Sequence, residues 1–229
     1  MTVKLRKFYE IGRKVNDDPM LVVFDNFLSD DEIEHLLAAA RPKLKQALVS
    51  AAKAGVESAG RSGSNCWIPH RHNEVLAGLS ERIADVVGIP LDNAESYQVI
   101  YYGKTEEYAA HFDAWDGATD RGKRCMAKGG QRLLTCLLYL NDVEEGGGTS
   151  FPKLDLETSA IKGRMLLFHN CHDGSTIRNP KSLHGGLPVL AGEKWACNLW
   201  FRENSYQTAG YPTIAKKQSV PSPKFKRKV

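Results

Sequence analysis

A chain of 229 residues, 42% hydrophobic and 25% charged, is long enough to bury a core of its own and suits one domain. The net charge of +4 comes from one end: Lys216, Lys217, Lys224, Lys226, Arg227 and Lys228 carry +6 with no acid among the last 14 residues, which leaves the rest at −2. That near-neutral body argues against specific nucleic-acid binding, and no apolar run approaches the ~20 residues a membrane helix needs.

In chain order, the N-terminus has basic residues but no apolar stretch of a secretory signal. Met20–Phe24 reads as a strand, and Ser29-Asp-Asp-Glu32 is a capping box opening a helix. Ile33, Leu36 and Leu37 follow at helical spacing, and the pattern allows helix to about Ala54. A second helix is expected over Glu74–Val87, with Val75, Leu76, Leu79, Ile83 and Val86 on one face. From Glu95 onward, short runs rich in Tyr, Val, Leu, Phe and Trp alternate with turn residues. Strands are expected at Glu95–Tyr102, Glu107–Asp113, Gln131–Leu140, Arg164–His169 and Lys194–Phe201. Helices first and strands afterwards predict an α+β domain, a β-sandwich or barrel with flanking helices. Residues 1–203 are expected to form it, with helical support over 1–90 and the β core from about 91; 204–229 reads as a basic, disordered tail. The five cysteines are scattered, with no C-x-x-C pair, which favours a reducing compartment and a cytoplasmic location.

His111-Phe112-Asp113 puts an imidazole and a carboxylate at i and i+2, the same face of a strand. With a second histidine they would make the facial triad of a non-haem iron site, which leaves open positions on the metal. Alone, H-x-D is also the pattern of a surface histidine beside a turn. Downstream, His184-Gly-Gly is followed by a Gly192 turn and a strong strand. There Lys194, Ala196, Asn198, Trp200 and Arg202 share one face, and Trp195, Cys197, Leu199 and Phe201 share the core face. His70, His72, His169 and His172 lack a matching third ligand and read as loop and strand-end residues.

Four segments in this order resemble the 2-oxoglutarate- and Fe(II)-dependent oxygenases, and among them the prolyl 4-hydroxylases. They are Y-Y-G-x4-Y-x2-H-F-D (Tyr101 to Asp113), R-L-L-T-C-L-L-Y-L-N-D (Arg132 to Asp142), E-G-G-G-T-S-F-P (Glu145 to Pro152) and H-G-G-L-P-V-L-A-G-E-K-W-x3-W-F-R-E (His184 to Glu203). The resemblance implies a double-stranded β-helix (jelly-roll) core, with His111, Asp113 and His184 on Fe(II). It implies Lys194 on the distal carboxylate of 2-oxoglutarate, with Tyr102 and Thr149 beside it. Read alone, Tyr102 is equally strand packing, Thr149 the end of a glycine turn and Lys194 an edge residue. On the substrate side it points to Arg61, Trp67, Glu95, Tyr108, Arg132 and Trp200, while Gly63 stands where the pattern has Ser and Arg202 where it often has His.

The implied reaction is hydroxylation of peptidyl proline at C4, with O2 as co-substrate, ascorbate as reductant, and succinate and CO2 as co-products. A carboxylate at Asp113 favours hydroxylation over halogenation, in which halide takes that place. The rival readings are an oxygenase of the same fold acting on a free amino acid or other small molecule, and a non-catalytic binding module. Oligomeric state is left open.

Overall fold

The computed structural model describes residues 4–46, 49–50, 55–56 and 62–206. In chain order, β1 (Arg13–Asp17) and β2 (Met20–Phe24) form a hairpin ahead of α1 (Asp30–Ala40). Then come β3 (Lys45–Gln46), the small pair β4 (Val49–Ser50) and β5 (Gly55–Val56), β6 (Ser64–Ile68) and α2 (Glu74–Val87). The strands β7 (Tyr97–Tyr102) and β8 (Tyr108–His111) lead to α3 (Asp120–Met126) and the long β9 (Arg132–Tyr139). Short β10 (Glu145–Gly146), β11 (Thr149–Phe151) and β12 (Leu156–Thr158) precede β13 (Met165–His169). The chain closes on β14 (His184–Gly186), β15 (Val189–Ala191) and β16 (Lys194–Arg202).

Eight strands make the major sheet in the order β1-β2-β13-β9-β16-β7-β6-β3, and four make a minor sheet, β12-β11-β14-β8. The order is far from sequential, and every registered pair is antiparallel. Crossing between two antiparallel sheets in this way is the jelly-roll arrangement. Period-two alternation along β16 then decides what faces what. Trp195, Cys197, Leu199 and Phe201 join the core under the helices, and Ala196 joins a second core between the sheets with Leu137, Tyr139, Phe151 and Phe168. The first 90 residues therefore supply strands as well as helices: β1, β2, β3 and β6 all belong to the major sheet.

Both expected helices form, with different accuracy. α2 has the expected bounds because each end carries its own stop. Asn73 accepts the Leu76 N–H at 2.9 Å, and Gly88 ends the helix at φ +72°. Its Leu76, Leu79, Ile83 and Val87 are fully buried, each contributing about 1.5–3 kcal/mol. α1 has its capping box, with Ser29 N–H donating to Glu32 at 2.9 Å, but it ends at Ala40 and does not run to Ala54. Pro42 has no N–H to donate and its ring clashes one turn back, so the chain tightens into a 3-10 turn over Arg41–Lys43. Arg82 of α2 grips the Glu32 carboxylate at 2.6 and 2.7 Å and pins the helices together.

Candidate active site

The minor sheet brings the candidate ligands together. His184 on β14 pairs directly with His111 on β8. The strand expected to reach Asp113 ends at His111, and the chain turns inward there, so Asp113 is buried while Tyr108 and His111 are half-buried. Its Oδ1 lies 3.7 Å from His111 Nε2 and its Oδ2 3.5 Å from His184 Nε2. The three ligand atoms lie within 4.8 Å of one another, and no other such group of His, Cys, Asp or Glu occurs among the described residues.

The imidazoles are oriented for this. His111 Nδ1 is 3.0 Å from the Ala109 carbonyl and His184 Nδ1 2.9 Å from the Ser182 carbonyl. A carbonyl can only accept, so each Nδ1 carries a proton and each Nε2 is the nitrogen turned inward, where a metal would take it. Burial opposes ionisation of Asp113, but the His184 and His111 rings, Arg132 and the Thr135 hydroxyl outweigh it and hold the carboxyl well below the usual range. Tyr108 stacks on His111 at 3.7 Å, and Phe168 packs edge-on to His184 at 4.6 Å. Two tethered imidazoles and an ionised carboxylate around one point suit a divalent first-row metal such as Fe(II).

Lys194 shares the pocket. It pairs with Tyr102 across β16 and β7, is buried, and among the described residues donates a hydrogen bond to the Gly148 carbonyl at 3.4 Å alone. No carboxylate among the described residues pairs with it, and burial pushes its pKa down to about 8. A buried ammonium without a counter-ion calls for an acidic ligand. Gly186 lies beside the ammonium: a Cβ there would sit 3.7 Å from Lys194 Nζ, in van der Waals contact, so the glycine keeps that side open. Thr149, opposite Gly186, accepts the Tyr139 hydroxyl at 2.7 Å and lines the same pocket with Tyr102. These residues fit 2-oxoglutarate, whose two carboxylates could reach the metal and the lysine.

Of the substrate-side candidates, Arg61 lies outside the described residues. Trp67 is 47% exposed and its ring sits 5.9 Å from that of buried Trp200. The Arg132 guanidinium lies 3.7 Å over Trp200 and is held by Glu95 through two bonds of 2.6 and 2.8 Å. Glu95 is itself buried and shared with Arg202 at 2.7 Å, so its place is beneath the site, orienting the cation above. Arg202 also donates to the carbonyls of Cys125 and Gly130, which anchors the α3 excursion to the sheet. At Gly63, φ is +89° and a Cβ would lie 2.6 Å from the Tyr101 carbonyl, so no serine could stand there without a shift.

Sequence reasoning missed Thr135 and Asn170. Thr135 donates to Asp113 Oδ2 at 2.7 Å, and Asn170 donates to Thr135 at 2.9 Å. A signal existed for the first: Thr135 is a polar residue in step with Leu137 and Tyr139, on the face toward the pocket.

Comparison with known proteins agrees with this geometry. The sequence model described as the 2OG-Fe(II) oxygenase superfamily matches residues 97–202. Prolyl 4-hydroxylase 5 of Arabidopsis thaliana is 33% identical over 211 residues, covering 83% of this chain and 70% of the relative. A putative prolyl 4-hydroxylase of Acanthamoeba polyphaga mimivirus is 34% identical over 195 residues, covering 83% and 78%. The crystal structure of viral collagen prolyl hydroxylase from Paramecium Bursaria Chlorella virus-1, in its 2OG complex, superimposes with a TM-score of 0.62 at 28% identity, covering 80% of this chain and 95% of that one.

Proposed function

Since the chain belongs to the 2-oxoglutarate- and Fe(II)-dependent oxygenases, among the prolyl 4-hydroxylases, we propose that it hydroxylates proline within a peptide at C4. His111, Asp113 and His184 would hold the iron, and Lys194, Tyr102 and Thr149 the distal end of 2-oxoglutarate. When bound, the two supply the oxidising power to put one oxygen atom of O2 into a C–H bond, with succinate and CO2 as co-products. The protein's own part is placement. The Ala109 and Ser182 carbonyls keep both imidazoles in the ligating tautomer, and Lys194 gives the co-substrate one orientation. Phe168, Leu137 and Ile100 wall the pocket with apolar surface and keep water from it.

One observation supports a peptide over a small molecule. A cross-strand row runs from exposed Trp67 to Gln98, then Asn198, then Leu137, and its last two members line the metal pocket. Such a row offers an extended segment aromatic and amide contacts on its way to the metal. A proline-rich peptide already has the extended form and gives up little entropy on binding. The test is mass spectrometry of proline-rich peptides and free L-proline after incubation with Fe(II), 2-oxoglutarate and ascorbate, the reductant we propose. One added oxygen on a peptide proline is expected; addition to the free amino acid alone would move the protein to the small-molecule class. The cysteines are all unpaired, which supports a reducing, cytoplasmic setting as part of the same reading.

A further inference from the structure

The two oxygens of Asp113 are not equivalent. Thr135 Oγ1 donates to Oδ2 at 2.7 Å, and Asn170 Nδ2 donates to Thr135 Oγ1 at 2.9 Å. An ionised carboxylate only accepts, so the single Thr135 proton is committed to Asp113. Thr135 can then only accept from Asn170, which fixes the amide with its nitrogen toward Thr135. The consequence is visible on the other side of that amide: Asn170 Oδ1 is fully enclosed and has no hydrogen-bond partner among the described residues. An orphaned buried acceptor opposes folding, and a leucine of similar size would avoid it. The arrangement therefore calls for a reason outside packing.

Asn170 also reaches the second ligand. Its main-chain carbonyl accepts from the Asn179 N–H at 2.9 Å, and the Asn179 carbonyl accepts from Ser182 Oγ at 2.8 Å, with the Asn170 carbonyl 3.2 Å from the same hydroxyl. The Ser182 carbonyl in turn receives the His184 Nδ1 proton at 2.9 Å. Thr135, Asn170, Asn179 and Ser182 are all buried, so water does not compete for these bonds.

We propose that Thr135 and Asn170 are positioning residues of the metal centre, an inference that rests on the iron-site reading above. Thr135 engages Asp113 Oδ2, which also lies 3.5 Å from His184 Nε2, and so fixes the turn of the carboxylate; Oδ1, without that hydrogen bond, is the freer donor, and the carboxylate would take one coordination position. Asn170 ties Asp113, through its side chain, and His184, through its main chain, to one rigid frame. One position more is thereby left for co-substrate and dioxygen.

The test uses Co(II) as a spectroscopic probe on the full chain, without turnover. Visible-absorption titration gives affinity and coordination, and thermal melts are run with and without metal. Thr135→Val keeps the side-chain shape and removes the donor; it is expected to weaken Co(II) roughly 10- to 100-fold, the usual effect of losing a bond behind a ligand, and to alter the absorption band. Thr135→Ser keeps the hydroxyl and should restore affinity to within about threefold of the parent. A merely structural Thr135 would lower the melting temperature of the metal-free protein while leaving affinity and band unchanged, and that result overturns the proposal. Should Thr135→Val fail to fold, Asn170→Ala is read in the same way, and parental affinity there overturns it equally. A parent chain that binds no Co(II) overturns the iron-site reading itself, and this proposal with it.

Discussion

Lys194 stands directly across from Tyr102 on paired strands, with its ammonium buried and unmatched by any carboxylate among the described residues. Burial lowers its pKa to about 8, so the protonation that recognises a distal carboxylate is itself at risk near physiological pH.

This gives a pH-dependent prediction. Below the lowered pKa Lys194 is charged and 2-oxoglutarate binds fully; above it the free protein must first take up a proton. The dissociation constant should stay flat to about pH 8 and then rise by up to about tenfold per pH unit. Lys194→Arg, charged throughout, should abolish the rise even if its longer fork binds more weakly. Titrations of the Mn(II)-loaded protein from about pH 7 to about pH 9.5 check this, and a pH-independent constant in the parent would place the anchor elsewhere.

His111→Ala, Asp113→Ala and His184→Ala should each abolish iron-dependent succinate formation while leaving the circular dichroism of the fold. The three side chains face one point, so removing any of them leaves too few ligands to hold the metal. Asp113→Ala removes a buried charge, so the metal-free variant should melt no more than a few degrees from the parent. Iron-dependent turnover at the parental level in any of the three would refute the ligand set.

Glu95 tests the layer beneath. It neutralises Arg132 and Arg202 together, and Glu95→Gln takes the shared carboxylate from buried Arg202 and half-buried Arg132. A loss of about 3–5 kcal/mol is expected. Burial raises the Glu95 pKa, yet Arg132 and Arg202 together bring it below the ordinary carboxylate value. The stability it contributes is therefore present above the unfolded-state pKa and lost as pH falls through the folded one. The parent should unfold in acid with a steeper pH dependence than Glu95→Gln, as denaturant titrations at neutral and acidic pH would show. Equal acid sensitivity would mean the network carries little stability.

What the sequence makes legible follows from how local each signal is. α2 could be bounded because Asn73 and Gly88 mark its ends, and β16 could be given its two faces because successive side chains of a strand point to opposite sides. α1 was overrun because apolar spacing continues past Ala40 while one proline overrides it. β1 escaped notice because Arg13-Lys-Val-Asn-Asp is mostly polar and holds its place only by pairing with β2. β10, β11, β12, β14 and β15 are two or three residues each, too short to show a period. In the site, H-x-D and the His184-to-Lys194 step are patterns within short stretches. The bond from Asn170 to Thr135 joins residues 35 apart, and Arg202 meets Glu95 across 107, so only the folded sheet reveals them.

The final prediction concerns the path to the metal. Trp67 is half exposed, its ring rests 5.9 Å from that of Trp200, and Trp200 pairs across β16 and β9 with Thr135, which touches Asp113. Trp200 also carries Arg132 on its face at 3.7 Å, which fixes the ring. If a peptide crosses the sheet along this row, Trp67 is the first rigid surface it meets, and contact there adds binding energy remote from the reacting carbon. Trp67→Ala should cost about 1–2 kcal/mol, a fall of roughly five- to thirtyfold in kcat/KM for a proline-rich peptide, mostly through KM. Uncoupled 2-oxoglutarate decay, which needs no peptide, should fall far less. Trp200→Ala should be more severe, lowering kcat as well, because it frees Arg132 beside the metal pocket. Steady-state kinetics of peptide hydroxylation, with succinate release measured in the absence of peptide, separates the two variants. Equal losses in coupled and uncoupled turnover for Trp67→Ala would show that the residue supports the fold and that the peptide takes another route.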